Sequence, residues 1–263
     1  AISYDSRLKY FRSENTVLLG EARNYAIEKA AGKYLAFLDC DDIWLPEKLE
    51  KQIGLLEGDQ GVSLVYSNYF WLNLKKTTRL VLKGTQPTGY VFERFLYKYS
   101  VGMLTAIIRR SSLDGLPGGL FDKNLNLGEE YDIFMRLTYK HKAAYINEPL
   151  AFYRIHPDMC SVKYRSKYPV ETQYVLDKLL RLYPEIKDRY PAAIAHLNAY
   201  INIYYAKIEL LNGNSAKARS IFNDCKLLNH KTIGIFISTF LPPKIFKLLI
   251  NLRKGIVPLC QGV

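Results

Sequence analysis

The chain has 263 residues, 49% of them hydrophobic and 24% charged, which suits a globular protein and excludes a disordered or collagen-like one. Its four cysteines, Cys40, Cys160, Cys225 and Cys260, lie far apart with no CxxC pair, which points away from a structural zinc site or a disulfide framework and toward a reducing compartment. The net charge of +12 is uneven: residues 1–156 hold 21 Lys+Arg against 18 Asp+Glu, and residues 157–263 hold 16 against 7.

In chain order, Leu8 to Phe11 reads as a short strand. Gly20 to Ala31 reads as a helix, with Ala22, Ala26 and Ala30 as a small-residue stripe for close packing on a sheet and Gly32 at its C′ position. Lys33 to Asp39 is apolar on both faces, as in a covered, mostly parallel sheet. Pro46 opens a helix reaching about Leu56. Val62–Phe70 and Leu104–Ile108 read as strands, Glu129–Tyr139 as a helix, and Ala143–Ile146 and Ala151–Ile155 as two more strands. This alternation predicts α/β. From Tyr168 onward the pattern is helical, with helices over 190–211 and 215–228 joined at Gly213-Asn214-Ser215, like one tetratricopeptide hairpin. Two regions are expected: an α/β domain over 1–156 and an all-α region over 157–263.

Three stretches carry chemistry. The first, FLDCDDIW, places Asp39, Asp41 and Asp42 at the carboxyl end of a strand, where α/β sheets bind ligands. Close carboxylates repel, so a positive partner is required. Hard oxygens suit Mg2+ or Mn2+ bridging to a diphosphate; alternatively an Asp caps the following helix. The second, GEEYDIFMRL, puts Glu130 on a helical stripe with Ile133, Phe134 and Leu137, with Glu129, Asp132 and Arg136 on the more polar side. An inward carboxylate at a helix start is stabilised by the dipole and suits general-base work; two glutamates also simply favour a first turn. The third is Tyr153-Arg154-Ile155-His156 at a strand end.

The continuous stretch from Gly20 to Leu49 resembles the core of the family-2 glycosyltransferases, which have the GT-A fold: Ala22-Arg23-Asn24, Gly32-Lys33-Tyr34, then Asp39-Cys40-Asp41-Asp42 as D-x-D-D. The resemblance implies a GT-A-like (Rossmann-like) mixed sheet with flanking helices. It implies that Asp41 contacts the metal, Asp39 lies nearer the donor's ribose, and Arg23 lies near the nucleotide or diphosphate. Glu129-Glu130 matches the family's E-D pair, which makes Glu130 the base, one methylene longer than the usual Asp. Tyr153-Arg154-Ile155-His156 matches Y-R-x-H, which brings Arg154 to the phosphates and His156 to the metal or diphosphate. Family members begin with two earlier strands, so the chain is expected to be N-terminally incomplete.

The basic tail completes the reading. No acidic residue follows Asp224, and Pro242-Pro243 divides an apolar run from KIFKLLINLRKG, where lysines face one side and large aliphatics the other. This predicts peripheral binding of residues 231–254 to an anionic membrane, or a helix closing the C-terminal core. The expected function is transfer of a sugar from a nucleotide-diphosphate donor to a hydroxyl of a glycan or lipid-linked acceptor. It is expected to be inverting, to depend on Mn2+ or Mg2+, and to serve cell-surface polysaccharide synthesis at the cytoplasmic face of the cell membrane. A non-catalytic, glycosyltransferase-like binding module is the alternative. Nucleic acid is not an expected partner, because the basic residues stand opposite aliphatics and not among exposed aromatics.

Overall fold

The computed structural model describes residues 5, 7–73, 78–223, 236–237 and 239–240. The elements run α1 (Leu19–Lys29), β1 (Tyr34–Ala36), β2 (Ile43–Trp44), α2 (Lys48–Gly58), β3 (Val62–Leu72) and β4 (Thr78–Leu80). They continue with α3 (Phe92–Tyr97), β5 (Ile107–Arg109), α4 (Glu129–Lys140) and β6 (Lys142–Arg154). After Arg154 the described elements are all helical: α5 (Cys160–Lys163), α6 (Tyr168–Leu182), α7 (Ile186–Arg189), α8 (Pro191–Leu211) and α9 (Ser215–Asn223).

The sheet has the order β1-β5-β3-β6-β2, with β4 added to β3. Among the described residues only β3 and β6 pair in parallel; the other ladders are antiparallel. The sheet is therefore mixed, not mostly parallel. The two strands expected over 143–155 are one strand, β6, whose register against β3 shifts around the Asn68–Pro149 pair. Proline has no N–H to give to the ladder, so Pro149 breaks the pattern in sequence without ending the strand.

Several local expectations change. Leu8, Tyr10 and Phe11 are exposed and outside any strand. Strand-forming side chains make no ladder without a neighbour to pair with. On α1 the predicted alanine stripe is wrong: Ala22 and Ala26 are exposed, and the buried face is Gly20, Arg23 and Ile27. Helix α1 ends at Ala30 in extended backbone, so Gly32 is no left-handed cap. Gly213 does take that conformation, φ +90°, and turns α8 into α9 where the sequence predicted. Residues 104–108 divide into a 3₁₀ turn, Met103–Thr105, and β5.

The core is continuous across the strand-to-helix change at Arg154. Leu64, Phe134 and Leu137 from the α/β part share one cluster with Val175, Leu179, Ile186 and Leu197 from α6, α7 and α8. Fully burying each such side chain contributes roughly 1.5–3 kcal/mol. The C-terminal helices are thus packed against the elements that carry the carboxylates. Among the described residues no helix is long and apolar enough to cross a membrane. Apart from residues 236–237 and 239–240, the predicted membrane-binding segment 231–254 lies outside the described residues.

Candidate active site

The chain leaves β1 at Ala36, packs the half-buried Phe37 edge-on against Phe121, and folds into a tight turn in which the Asp42 N–H donates to the Asp39 carbonyl at 3.1 Å. The three carboxylates diverge from there. Asp39 and Asp41 have side chains 44% and 37% exposed, whereas Asp42 is buried. Burial pushes the Asp42 carboxyl up to about 7, and the charges of Asp41 and Asp39 push the same way.

The positive partners that this cluster requires come from two directions. The end of β6 supplies one set. The Arg154 backbone N–H donates to Asp42 at 2.9 Å, its Nε donates to the Asp41 carbonyl at 2.7 Å, and His156 Nε2 lies 2.8 Å from Asp41 Oδ2. Pairing of β2 with β6, at Ile43↔Phe152 and Trp44↔Ala151, holds these segments together. The Trp44 indole donates to the Leu104 carbonyl at 2.8 Å and fixes the turn from below.

Helix α1 supplies the other partner. Arg23 is buried, donates to Glu129 at 2.5 Å, and reaches Asp39 at 3.4 Å. Burial works against its charge, but Glu129 and Asp39 more than offset that and hold the guanidinium above its ordinary pKa. Helix α1 can place Arg23 there because it sits close to the 117–122 loop. A Cβ on Gly20 would lie 2.7 Å from the Asp122 carbonyl oxygen. Asn24 clasps Phe121, donating to its carbonyl at 2.8 Å and accepting its N–H at 2.9 Å.

Helix α4 begins at Glu129 with three acidic residues in its first turn, Glu129, Glu130 and Asp132, as the helix dipole favours. Glu129 is buried, and burial raises its carboxyl despite Arg23. Glu130 is partly buried. Desolvation pushes its carboxyl up to about 8, helped by the charges of Glu129 and Asp39. Burial holds the Tyr69 and Tyr99 phenols well above their ordinary range, and the Glu130 charge adds to it. A carboxylate with affinity for a proton near neutral pH, beside a solvent-facing carboxylate turn, has the character of a general base.

The predicted polar side of α4 does not exist, for Glu129, Asp132 and Arg136 are all buried. Asp132 and Arg136, four positions apart on this helix, pair at 2.6 Å with both side chains fully buried. Arg136 also donates to the carbonyls of Pro117, Gly119 and Leu120. Lys178 of α6 joins Asp132 at 3.0 Å and Asp122 at 2.8 Å. The sequence pattern reads charge as solvent exposure, and here the charges instead find one another inside.

All of the predicted site residues, Arg23, Asp39, Asp41, Glu130, Arg154 and His156, thus gather around one turn and one helix start. Sequence reasoning missed Asp42 as the buried member, Asn24 as the clasp, and Glu171 of α6, which accepts the Gly128 N–H at 2.9 Å. Asn24 stood in a matched motif and was findable; Glu171 had no local signal.

A divalent cation is implied by the resemblance. Among the described residues no three His, Cys, Asp or Glu side chains converge as a preformed cage. The donor set nonetheless fits Mg2+ or Mn2+, which are held by one or two carboxylates with phosphate oxygens and water completing the shell. Asp39 and Asp41 present such oxygens to solvent, although Asp41 Oδ2 is engaged by His156.

Residues 1–114 match the family described as Glycosyl transferase family 2. Over that segment the chain is similar to the family. It is 30% identical over 155 residues to an uncharacterized glycosyltransferase of Methanocaldococcus jannaschii, a match covering 57% of this chain and 52% of the relative. It is 30% identical over 143 residues to the Escherichia coli UDP-Glc:alpha-D-GlcNAc-diphosphoundecaprenol beta-1,3-glucosyltransferase WfgD, covering 54% of this chain and 53% of the relative. An uncharacterized glycosyltransferase of Haemophilus influenzae aligns over 96% of this chain and 83% of its own length at 27% identity. The chain spans about half the length of the first two relatives. In fold it is similar to S. aureus TarS residues 1–349, solved with UDP-GlcNAc, with TM-score 0.56 and 16% identity over 86% of this chain and 60% of that one. The fold of this chain is thus GT-A-like.

Proposed function

We propose that this protein transfers a sugar from a nucleotide-diphosphate donor to an acceptor hydroxyl by one in-line displacement with inversion. The observation that carries the reading is the bridge made by Arg23, which ties the Asp39 turn to the Glu129–Glu130 helix start. A turn of exposed carboxylates and a carboxyl of raised proton affinity are thereby held in one place. Glu130 takes the acceptor proton at its carboxylate as the hydroxyl oxygen bonds to the anomeric carbon and the nucleoside diphosphate leaves. Arg23, Asp39 and Arg154 bind the donor. Asp41, Asp39 and His156 would hold Mn2+ or Mg2+, which when bound neutralises charge on the departing diphosphate.

The acceptor proposed is a glycan or lipid-linked saccharide in cell-surface polysaccharide synthesis. The activity of the E. coli relative, on a diphosphoundecaprenol-linked sugar, supports that class. Association of residues 231–254 with the inner membrane face belongs to the same reading and is supported by their charge and apolar pattern alone. The test is isothermal titration of the full chain with UDP and with GDP, with and without Mn2+. Metal-dependent binding that Asp41→Ala abolishes is expected. Binding of neither nucleotide under any condition would leave a non-catalytic binding module instead.

A further inference from the structure

Helix α4 has no cap of its own. Its N-cap residue is Gly128, and no side chain of the N-cap bonds the first turn. The backbone just before it, at Asn126, Leu127 and Gly128, points three consecutive N–H groups to one spot. Glu171, in the first turn of α6, fills that spot. Its carboxylate accepts the N–H of Asn126 at 3.0 Å, of Leu127 at 2.8 Å and of Gly128 at 2.9 Å, and the Asn126 side-chain amide at 3.1 Å. Glu171 is 7% exposed, so water competes little for these bonds. Successive backbone N–H groups closing on a carboxylate form a charge-assisted nest. The next two residues in the chain are Glu129 and Glu130.

We propose that Glu171 is a positioning residue for the Glu129–Glu130 pair, setting the place and direction in which α4 starts and so where Glu130 stands. The proposal rests on the reading of Glu130 as the base only for its catalytic consequence. The positioning itself is a property of the fold. Attachment of α6 does not depend on Glu171, because Lys178, two turns further on, is bonded to Asp132 and Asp122 and the apolar face of α6 lies in the main core. Loss of the Glu171 charge therefore frees the start of α4 while leaving α6 in place. A freed first turn admits water to Glu130, and desolvation is the main cause of its raised proton affinity.

The experiment uses the full chain labelled with carboxyl-13C glutamate, with Glu171→Gln as the variant and Glu171→Asp as a second that keeps the charge but withdraws it by one methylene. Carboxyl titration is followed by NMR, with Glu130→Gln assigning the resonance, alongside amide exchange at residues 126–131. In Glu171→Gln the Glu130 midpoint is expected to fall toward the ordinary carboxylate range and exchange at Asn126, Leu127 and Gly128 to quicken about tenfold or more. Glu171→Asp is expected to shift both in the same direction by less. A Glu130 midpoint equal in all three proteins, with only Tm reduced, overturns the proposal and makes Glu171 an ordinary structural contact. Binding of UDP and of GDP with Mn2+ is measured in parallel by titration calorimetry. If neither binds the parent while the midpoint shift is present, the functional reading fails and the positioning stands.

Discussion

Arg23 and Glu129, 106 positions apart in sequence, meet in a buried ion pair at 2.5 Å, and Glu129 is the first residue of the helix that carries Glu130. The pair ties the Asp39 turn to the start of α4 through a single side chain. Its energetic weight comes from burial. The two ions compensate each other's desolvation, and removing one leaves the other stranded.

Arg23→Ala is therefore expected to cost about 3–5 kcal/mol of unfolding free energy, the range for breaking a buried pair from one side. Glu129→Gln in the same background restores part of that loss. Urea denaturation of the two single variants and the double variant gives the coupling. Strict additivity would remove the pair from the account.

Glu130 predicts a pH dependence. A general base acts only when deprotonated, and its carboxyl stands at about 8. The rate is expected to climb with pH through about 8 and level off above it. Glu130→Gln should lower kcat by ~10²–10⁴. Glu129→Gln removes a like charge, so its rising limb should move to lower pH. A limb in Glu129→Gln displaced upward contradicts the assignment.

Asp42 predicts a second pH effect, this one on stability. Its folded carboxyl is raised to about 7 from an ordinary value of 3.8. A raised folded value means stability that is fully present below the ordinary value and lost as pH rises through about 7. Asp42→Asn keeps an acceptor for the Arg154 N–H and cannot ionise. The variant is expected to unfold at a higher Tm than the parent at pH 8 and to lose the parent's dependence between pH 5 and pH 8. Parallel Tm–pH curves for parent and variant would count against the buried, protonated Asp42.

Gly20→Ala tests close packing against helix propensity. Ala for Gly inside a helix gains roughly 1 kcal/mol. Here the new Cβ would stand 2.7 Å from the Asp122 carbonyl oxygen, a backbone atom. Overpacking costs ~1–3 kcal/mol, so a net loss of stability is expected on chemical denaturation. Nucleotide affinity should fall as well, because the same helix carries Arg23.

How much was legible in the sequence follows from where each signal lives. Periodicity located α4, β3 and α8 because their apolar faces meet the core directly. Motif spacing found Asp39, Asp41, Glu130, Arg154 and His156, because each lies in a short continuous stretch. The alanine stripe of α1 misled because small residues signal close packing only when a neighbour is present on that side. Arg23, the charged residue next to Ala22, is the one that turns inward. Asp132 and Arg136 misled for the same reason in reverse. Lys178, which pairs with Asp132 from another helix, lies 46 positions away, beyond any local pattern.

The hydrogen bond from the Arg154 backbone to Asp42 spans 112 positions. Until β6 has been synthesised and paired, the three aspartates face one another with neither Arg154 nor His156 beside them. Closing so long a loop is slow compared with forming a helix or hairpin, since its entropy is lost before its contacts are made. The carboxylate turn is accordingly among the last parts of the sheet to reach its native state. A nascent chain stopped short of residue 142 would carry the whole D-x-D-D sequence and still lack the strand that organises it.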